Sequence, residues 1–191
     1  GDQAKGAEYE LKASIGFFND DEARIRKTMR SLDDENLKKF LKRDSAKGTL
    51  ADVKDNLDGV DLDVFNALTD KDLPHLQRLA KADAYDLQDK IKKARTREEV
   101  NQEIANFYSN NPDRGYGDDV SNEELRRAIN DQMAVVRGVK DKEGKPVTGE
   151  AADKAMQSFV TTKHAQIRKQ EQMRCHHGGH GGGCYKSDKQ K

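Results

Sequence analysis

The segment CHHGGHGGGCYK, residues 175–186, places two cysteines, three histidines and five glycines in twelve positions. Thiolate and neutral imidazole are the donors Zn²⁺ prefers, and four of them close a tetrahedron. Cys175, His176, His177, His180 and Cys184 offer five. The glycines at 178–179 and 181–183 let a backbone wrap tightly, because they reach positive φ without steric penalty. Cys175, His180 and Cys184 stand in C-x4-H-x3-C order, with His176 or His177 as the fourth donor. A zinc site is the leading reading, and imidazole serves copper and nickel as well. The spacing is not that of a finger, knuckle or ribbon, since no C-x2-C pair is present. Two other readings stay open. One is a Cys175–Cys184 disulfide closing a glycine-rich loop. The other is a flexible segment with incidental donors, or the start of a further domain. His164 joins the cluster only if the last helix ends early, because eleven residues of continuous helix span about 16 Å.

Catalysis has less support. A hydrolytic zinc needs an open coordination position and a nearby carboxylate base. No H-E-x-x-H occurs, and the nearest carboxylate, Glu171, precedes the cluster on the expected last helix. Cys184 with His180 as its base would lack the rigid support such a pair needs. His75 reads as a surface or half-buried histidine. The pairs Asp20/Asp21, Asp33/Asp34 and Glu123/Glu124 fall at helix starts, where negative charge suits the helix dipole. DGVDLD at 58–63 lacks the spacing of an EF-hand loop. Aromatic residues fall on helix stripes rather than among basic residues, which disfavours stacking on single-stranded nucleic acid.

Charge is distributed unevenly. The chain has 35 basic and 35 acidic residues, but residues 1–150 carry a net −5 and residues 151–191 a net +5. The excess positive charge lies in the last helix and the Cys/His segment after it. Lys163, Arg168, Lys169 and Arg174 are the candidates to meet an acidic partner. A protein partner is the first expectation, with an anionic membrane or nucleic acid as the rival. No run approaches the roughly 18 apolar residues of a membrane span. No signal peptide is expected, a processed start at Gly1 aside. The chain reads as soluble, with secretion or delivery as an effector as one option.

Charged residues make up 37% of the chain and hydrophobic ones 34%, which predicts helices with narrow apolar stripes and charged outer faces. A first helix over 5–15 carries Tyr9, Leu11 and Ile15, and Gly16 ends it. Asn19 or Asp20 caps the next, over 21–31, and Asp33 caps a third over 34–43. Gly48 breaks that one. Thr49 to Asp52 resembles a capping box that opens a fourth helix on Leu50, Val53 and Leu57, and Gly59 stops it. A short fifth covers 61–68. Pro74 opens a segment reaching Ala94, with a bend near Asp83. Thr96 with Glu99, and Ser121 with Glu124, are capping boxes for the helices on Val100 to Tyr108 and on Leu125 to Val136. Residues 109–119 and 138–149 are loops, the second a small hairpin. The last helix runs over 150–173 on Ala152, Met156, Phe159, Val160 and Ile167, and its second half is exposed or loosely docked. The expected fold is all-α, with eight to ten mostly short helices and a Gly/His/Cys-rich end. The divisions are a helical body over 1–149, a basic helix over 150–174 and the Cys/His segment over 175–191.

Over residues 16–68 the helix order resembles the annexin repeat. Asp21, Glu22 and Ile25 fall on its opening pattern, Phe40 on its middle helix, and Leu50, Val53, Leu57 and Gly59 on a later one. A fainter echo covers residues 87–137. Annexins bind calcium through a Gly-x-Gly loop and a carboxylate, and Ca²⁺ needs six to eight oxygens. Here the loop reads Phe17-Phe18-Asn19, the carboxylate position is Asn56, and the second loop reads Lys93-Ala94-Arg95. The resemblance therefore implies the fold without calcium. Divergent repeats of this kind also serve as helical modules in bacterial effectors and toxins. The expected function is a non-catalytic interaction module whose zinc loop presents a basic surface to a partner. A metal-dependent enzyme or toxin fragment is the alternative.

Overall fold

Short polar side chains decide where several helices begin. In the computed structural model, which describes residues 2–15 and 22–177, Asp33 accepts from the amide of Asn36 at 2.8 Å and starts α3, Asp34–Lys42. Ser121 and Glu124 satisfy each other's amides and start α8, Asn122–Arg137, which ends on Gly138 at φ +68°. Thr96 caps α7, Arg97–Tyr108, but Glu99 reaches back to the amide of Arg95, so only half of that expected box forms. The remaining helices are α1 (Gln3–Ile15), α2 (Glu22–Arg30), α4 (Asp44–Asn56), α5 (Gly59–Leu68), α6 (His75–Lys93) and α9 (Gly149–His177). Among the described residues the fold is all-helical, apart from one isolated bridge. The Asn19 and Asp20 caps lie outside the described residues.

Two local expectations change. Gly48 does not break a helix. It lies inside α4, and Thr49 packs into the core with its hydroxyl on the Ser45 carbonyl at 3.2 Å instead of capping. A glycine in a helix interior costs only about 1 kcal/mol, which the buried Ala46 and Val53 on the same helix offset. Tyr9 is 71% exposed, and α1 is buried through Ala4, Ala7 and Leu11. α6 runs as one helix through Asp83, whose carboxylate is neutralised from neighbouring segments.

α6 is the central element. It packs on α5, α7, α8 and α9, while α1 packs on α2, α3 and α4, and α2 bridges to α5. Its buried face is Leu79, Ala80, Ala82, Ala84, Leu87 and Ile91, where the alanines admit close neighbours. Arg78 at its start is fully buried. Its guanidinium donates to the carbonyls of Leu73, Leu68 and Leu32 and to Asp34, tying the ends of α2 and α5 to α6. The 138–149 loop is the expected hairpin, with Val147 donating to the Val139 carbonyl at 3.1 Å and Lys140 bridged to Pro146. It delivers the chain to α9, whose start is clamped. Arg127 holds Asp153 through two bonds of 2.9 and 2.7 Å, and Asp131 accepts from the Gly149 amide.

Candidate functional site

The last helix positions every candidate of the basic patch. Ala152, Met156 and Ile167 are its buried members, and they fix its course along α8 with lesser contacts to α6 and α7. The burial of Ile167 carries the docked portion further than the sequence suggests. From Arg168 through Cys175 every residue is exposed. At 1.5 Å per residue this exposed end extends about 12 Å.

The four basic candidates do not act alike. Lys163 is half-buried, and its ammonium donates to the Lys92 carbonyl at 2.7 Å, at the C-terminal end of α6. A cation there completes the carbonyls of a helix end, so Lys163 serves the docking of α9. Arg168, Lys169 and Arg174 are exposed. Successive helical positions differ by 100°, which spreads these three around the helix rather than along one face. Glu171 is the one carboxylate among residues 168–175.

Of the Cys/His cluster, Cys175 is described. It is exposed and disulfide-bonded. The backbone of His176 and His177 continues α9, four residues past the expected end. The side chains of His176 and His177, and residues 178–191 with His180 and Cys184, lie outside the described residues. A sulfur in a disulfide is not a thiolate, so a metal-ligand role for Cys175 belongs to the reduced chain. His164 stays about 16 Å from Cys175 along unbroken helix and does not join it. Among the described residues no group of three His, Cys, Asp or Glu is placed to hold a metal. Asn56, at the position where the annexin pattern would have a carboxylate, donates its amide to the Asp52 carbonyl. No helix among the described residues is long and apolar enough to cross a membrane.

The structure brings together a set of residues that the sequence reading passed over. Asp83 is buried between Arg30 and Arg114, with the Tyr116 hydroxyl donating to it. Arg30 makes a two-pronged contact of 2.9 and 3.2 Å and also donates to the Arg114 carbonyl. Arg114 Nη2 lies 2.7 Å from the carboxylate without a hydrogen bond to it, so that contact is charge pairing. Burial, and then the charge of Asp83, push the Tyr116 phenol far above its ordinary value, so it stays a donor. His75 is half-buried with Nε2 2.9 Å from the Arg30 carbonyl, as its sequence position suggests. This centre joins α2, α6 and the 109–121 loop. One signal was available. Asp83 stands four residues after Leu79 and four before Leu87, on the apolar stripe, and a buried charge must be paired. Tyr116 between Gly115 and Gly117 is an aromatic anchor in a loop otherwise free to turn.

Two open clefts are sizeable. One of about 360 Å³ is lined by Lys54, Asp63, Asn66, Asp70, Lys81 and Tyr85, where opposite charges balance. The other, of about 240 Å³, lies between the end of α8 and the outer flank of α9, beside Arg137 and Phe159. Compared with protein-family models, curated proteins and solved structures, the chain matches none.

Proposed function

We propose that the chain is a non-catalytic helical interaction module. The body holds α9, and the end of α9 with the Cys/His segment meets an acidic surface on a partner protein. The change at Ile167 carries the reading: that residue is 1% exposed, and everything from Arg168 to Cys175 is open to solvent. A helix end carrying Arg168, Lys169 and Arg174 against one carboxylate attracts acidic surfaces and gains little from its own body. In the reduced chain the Cys/His segment is assigned to zinc, which would order it beside those cations. The body is read as a divergent annexin-like repeat without calcium, as found in helical modules of effectors and toxins. The succession α2 to α5 and the amide at Asn56 support that reading.

The test uses the intact chain. A fluorescent sixteen-residue Glu/Leu peptide is titrated at several salt concentrations, beside a single-stranded oligonucleotide and phosphatidylserine vesicles. The expected outcome is salt-sensitive binding of the peptide that weakens in Arg168→Glu/Arg174→Glu. Preference for the oligonucleotide or the vesicles overturns the reading in favour of a nucleic-acid or membrane binder. Metal analysis of the reduced protein is expected to give stoichiometric zinc, lost in Cys175→Ser.

A further inference from the structure

Arg137 closes α8, and its guanidinium lies over the ring of Phe159 from α9, 3.6 Å from the ring centroid. Arg26, Arg30, Arg78, Arg114, Arg126 and Arg127 each meet a carboxylate. Arg137 meets none among the described residues, and its Nε–H is buried without an acceptor. The stacking on Phe159, and a position where positive charge suits the α8 dipole, account for where the side chain sits. Neither gives the Nε–H a partner, and an unmade hydrogen bond at a buried donor is costly.

The guanidinium faces an open cleft of about 240 Å³ whose other walls are Val139, Ala155, Ser158, Phe159 and Thr162. A planar fork, two hydroxyls and an aromatic wall suit a carboxylate on an apolar stem. A single cation beside the carbonyl end of a helix suits one negative charge better than the two of a phosphate monoester. The cleft also has a continuation. At 100° per residue, Ala155, Phe159, Thr162, Gln166, Lys169 and Met173 succeed one another along a single flank of α9. Lys169 is exposed and Met173 is 56% exposed. They stand about 15 and 21 Å beyond Phe159 along the helix.

We propose that Arg137 and Phe159 form an anchoring notch for a carboxylate of an acidic partner segment, which then runs along the α9 flank to Lys169 and Met173. The proposal rests on the interaction-module reading for the protein nature of the partner. The notch itself rests on the surroundings of Arg137. It also supplies the one-sided track that Arg168, Lys169 and Arg174, spread around the helix, do not form by themselves.

The Arg137 Nε–H signal in a ¹H–¹⁵N spectrum, assigned with Arg137→Lys, reads the notch directly. Acetyl-Glu-Leu-amide is expected to shift it saturably, and acetyl-Gln-Leu-amide to leave it in place. Thr162→Glu, which offers the guanidinium an internal carboxylate, is expected to abolish the response while the protein stays folded. Arg137→Gln is expected to weaken the sixteen-residue Glu/Leu peptide by about tenfold, the size of one charge-assisted hydrogen bond. No shift with the Glu dipeptide, an equal shift with the Gln dipeptide, or a response that survives Thr162→Glu overturns the notch. A stronger response to inorganic phosphate overturns the carboxylate assignment. If Arg168→Glu/Arg174→Glu weakens the long peptide and Arg137→Gln does not, the notch falls and the interaction module stands. If the dipeptide binds and the long peptide does not, the partner segment falls and only a small-carboxylate site remains.

Discussion

Around Asp83 two arginines and a tyrosine converge on one carboxylate, with Asp83 and Tyr116 buried and the arginines half-buried. Beyond Ile167 on α9 the cations Arg168, Lys169 and Arg174 are exposed, with no ion pair among the described residues. The difference comes from desolvation. An ion withdrawn from water must find its counter-charge within the fold, because leaving it alone costs several kcal/mol. A cation left in water needs none, so nothing about folding explains why the positive charges gather at one end of the chain. The same reasoning separates Arg78, fully buried and bonded to three carbonyls and Asp34, from Arg168, exposed just past the buried Ile167. The first region is where changes should act on stability, and the second is where they should act on binding. Substitutions in each region test that division.

The largest effect belongs to Asp83→Ala. It strands Arg30 and Arg114 in a buried setting and removes the acceptor of Tyr116. Truncating one member of a buried pair typically costs 3–5 kcal/mol, so about that loss is expected in urea unfolding. A cost below about 1 kcal/mol would mean that water reaches the centre freely, and the contrast between the two regions would fail. Replacing the charged members together with apolar residues sharpens the test. That variant should recover much of the stability, because the desolvation cost vanishes with the charges.

Most of the helices were legible in the sequence, and the reason is local. Caps such as Asp33 and Ser121 act within three residues, and apolar stripes such as Leu125, Ile129 and Met133 declare their period. The misreadings came where tertiary packing outweighed a local preference. Gly48 looks like a stop, but the Glu8 carboxylate bonds Arg43 and Ser45 at the start of α4 and helps carry the helix through. The partners of Asp83, 53 and 31 residues away in Arg30 and Arg114, are invisible to any short window. The basic end of α9 was legible from composition. Its limit at Ile167 and the use of Lys163 on α6 were not, since both depend on where α9 lies against the body. Arg137 on Phe159 is a contact between two helices that no spacing predicts.

Glu8 gives the next effect and ties it to pH. The Ser45 hydroxyl, then Lys12 and Arg43, hold its buried carboxyl down from 4.5 to about 2. A depressed folded value contributes stability that is complete above about pH 4.5 and fades as the pH falls toward 2. The contribution at neutral pH is no more than about 3.5 kcal/mol by linkage. Glu8→Gln should therefore lower the melting temperature at pH 7, with the gap to the unaltered protein closing between pH 4.5 and 2.5. A gap that stayed constant with pH would assign Glu8 a packing role instead, and the α1–α4 junction would no longer count with the charge-paired interior.

The smallest expected effect is the one that tests the other half of the comparison. Arg168→Glu/Arg174→Glu reverses two exposed charges beyond the last buried residue of α9. Exposed changes away from caps and cores typically move stability by less than about 0.5 kcal/mol. The screened repulsion or attraction they alter is confined to distances of about 10 Å at moderate salt. Unfolding by urea should therefore be unchanged within that margin at low and high salt alike, while binding of the acidic peptide weakens. A loss well beyond it, relieved by salt, would show these arginines answering to carboxylates of their own chain. The helix end would then belong energetically with the Asp83 centre, its positive charge would have a folding reason, and the case for an external acidic partner would lose the feature that motivates it.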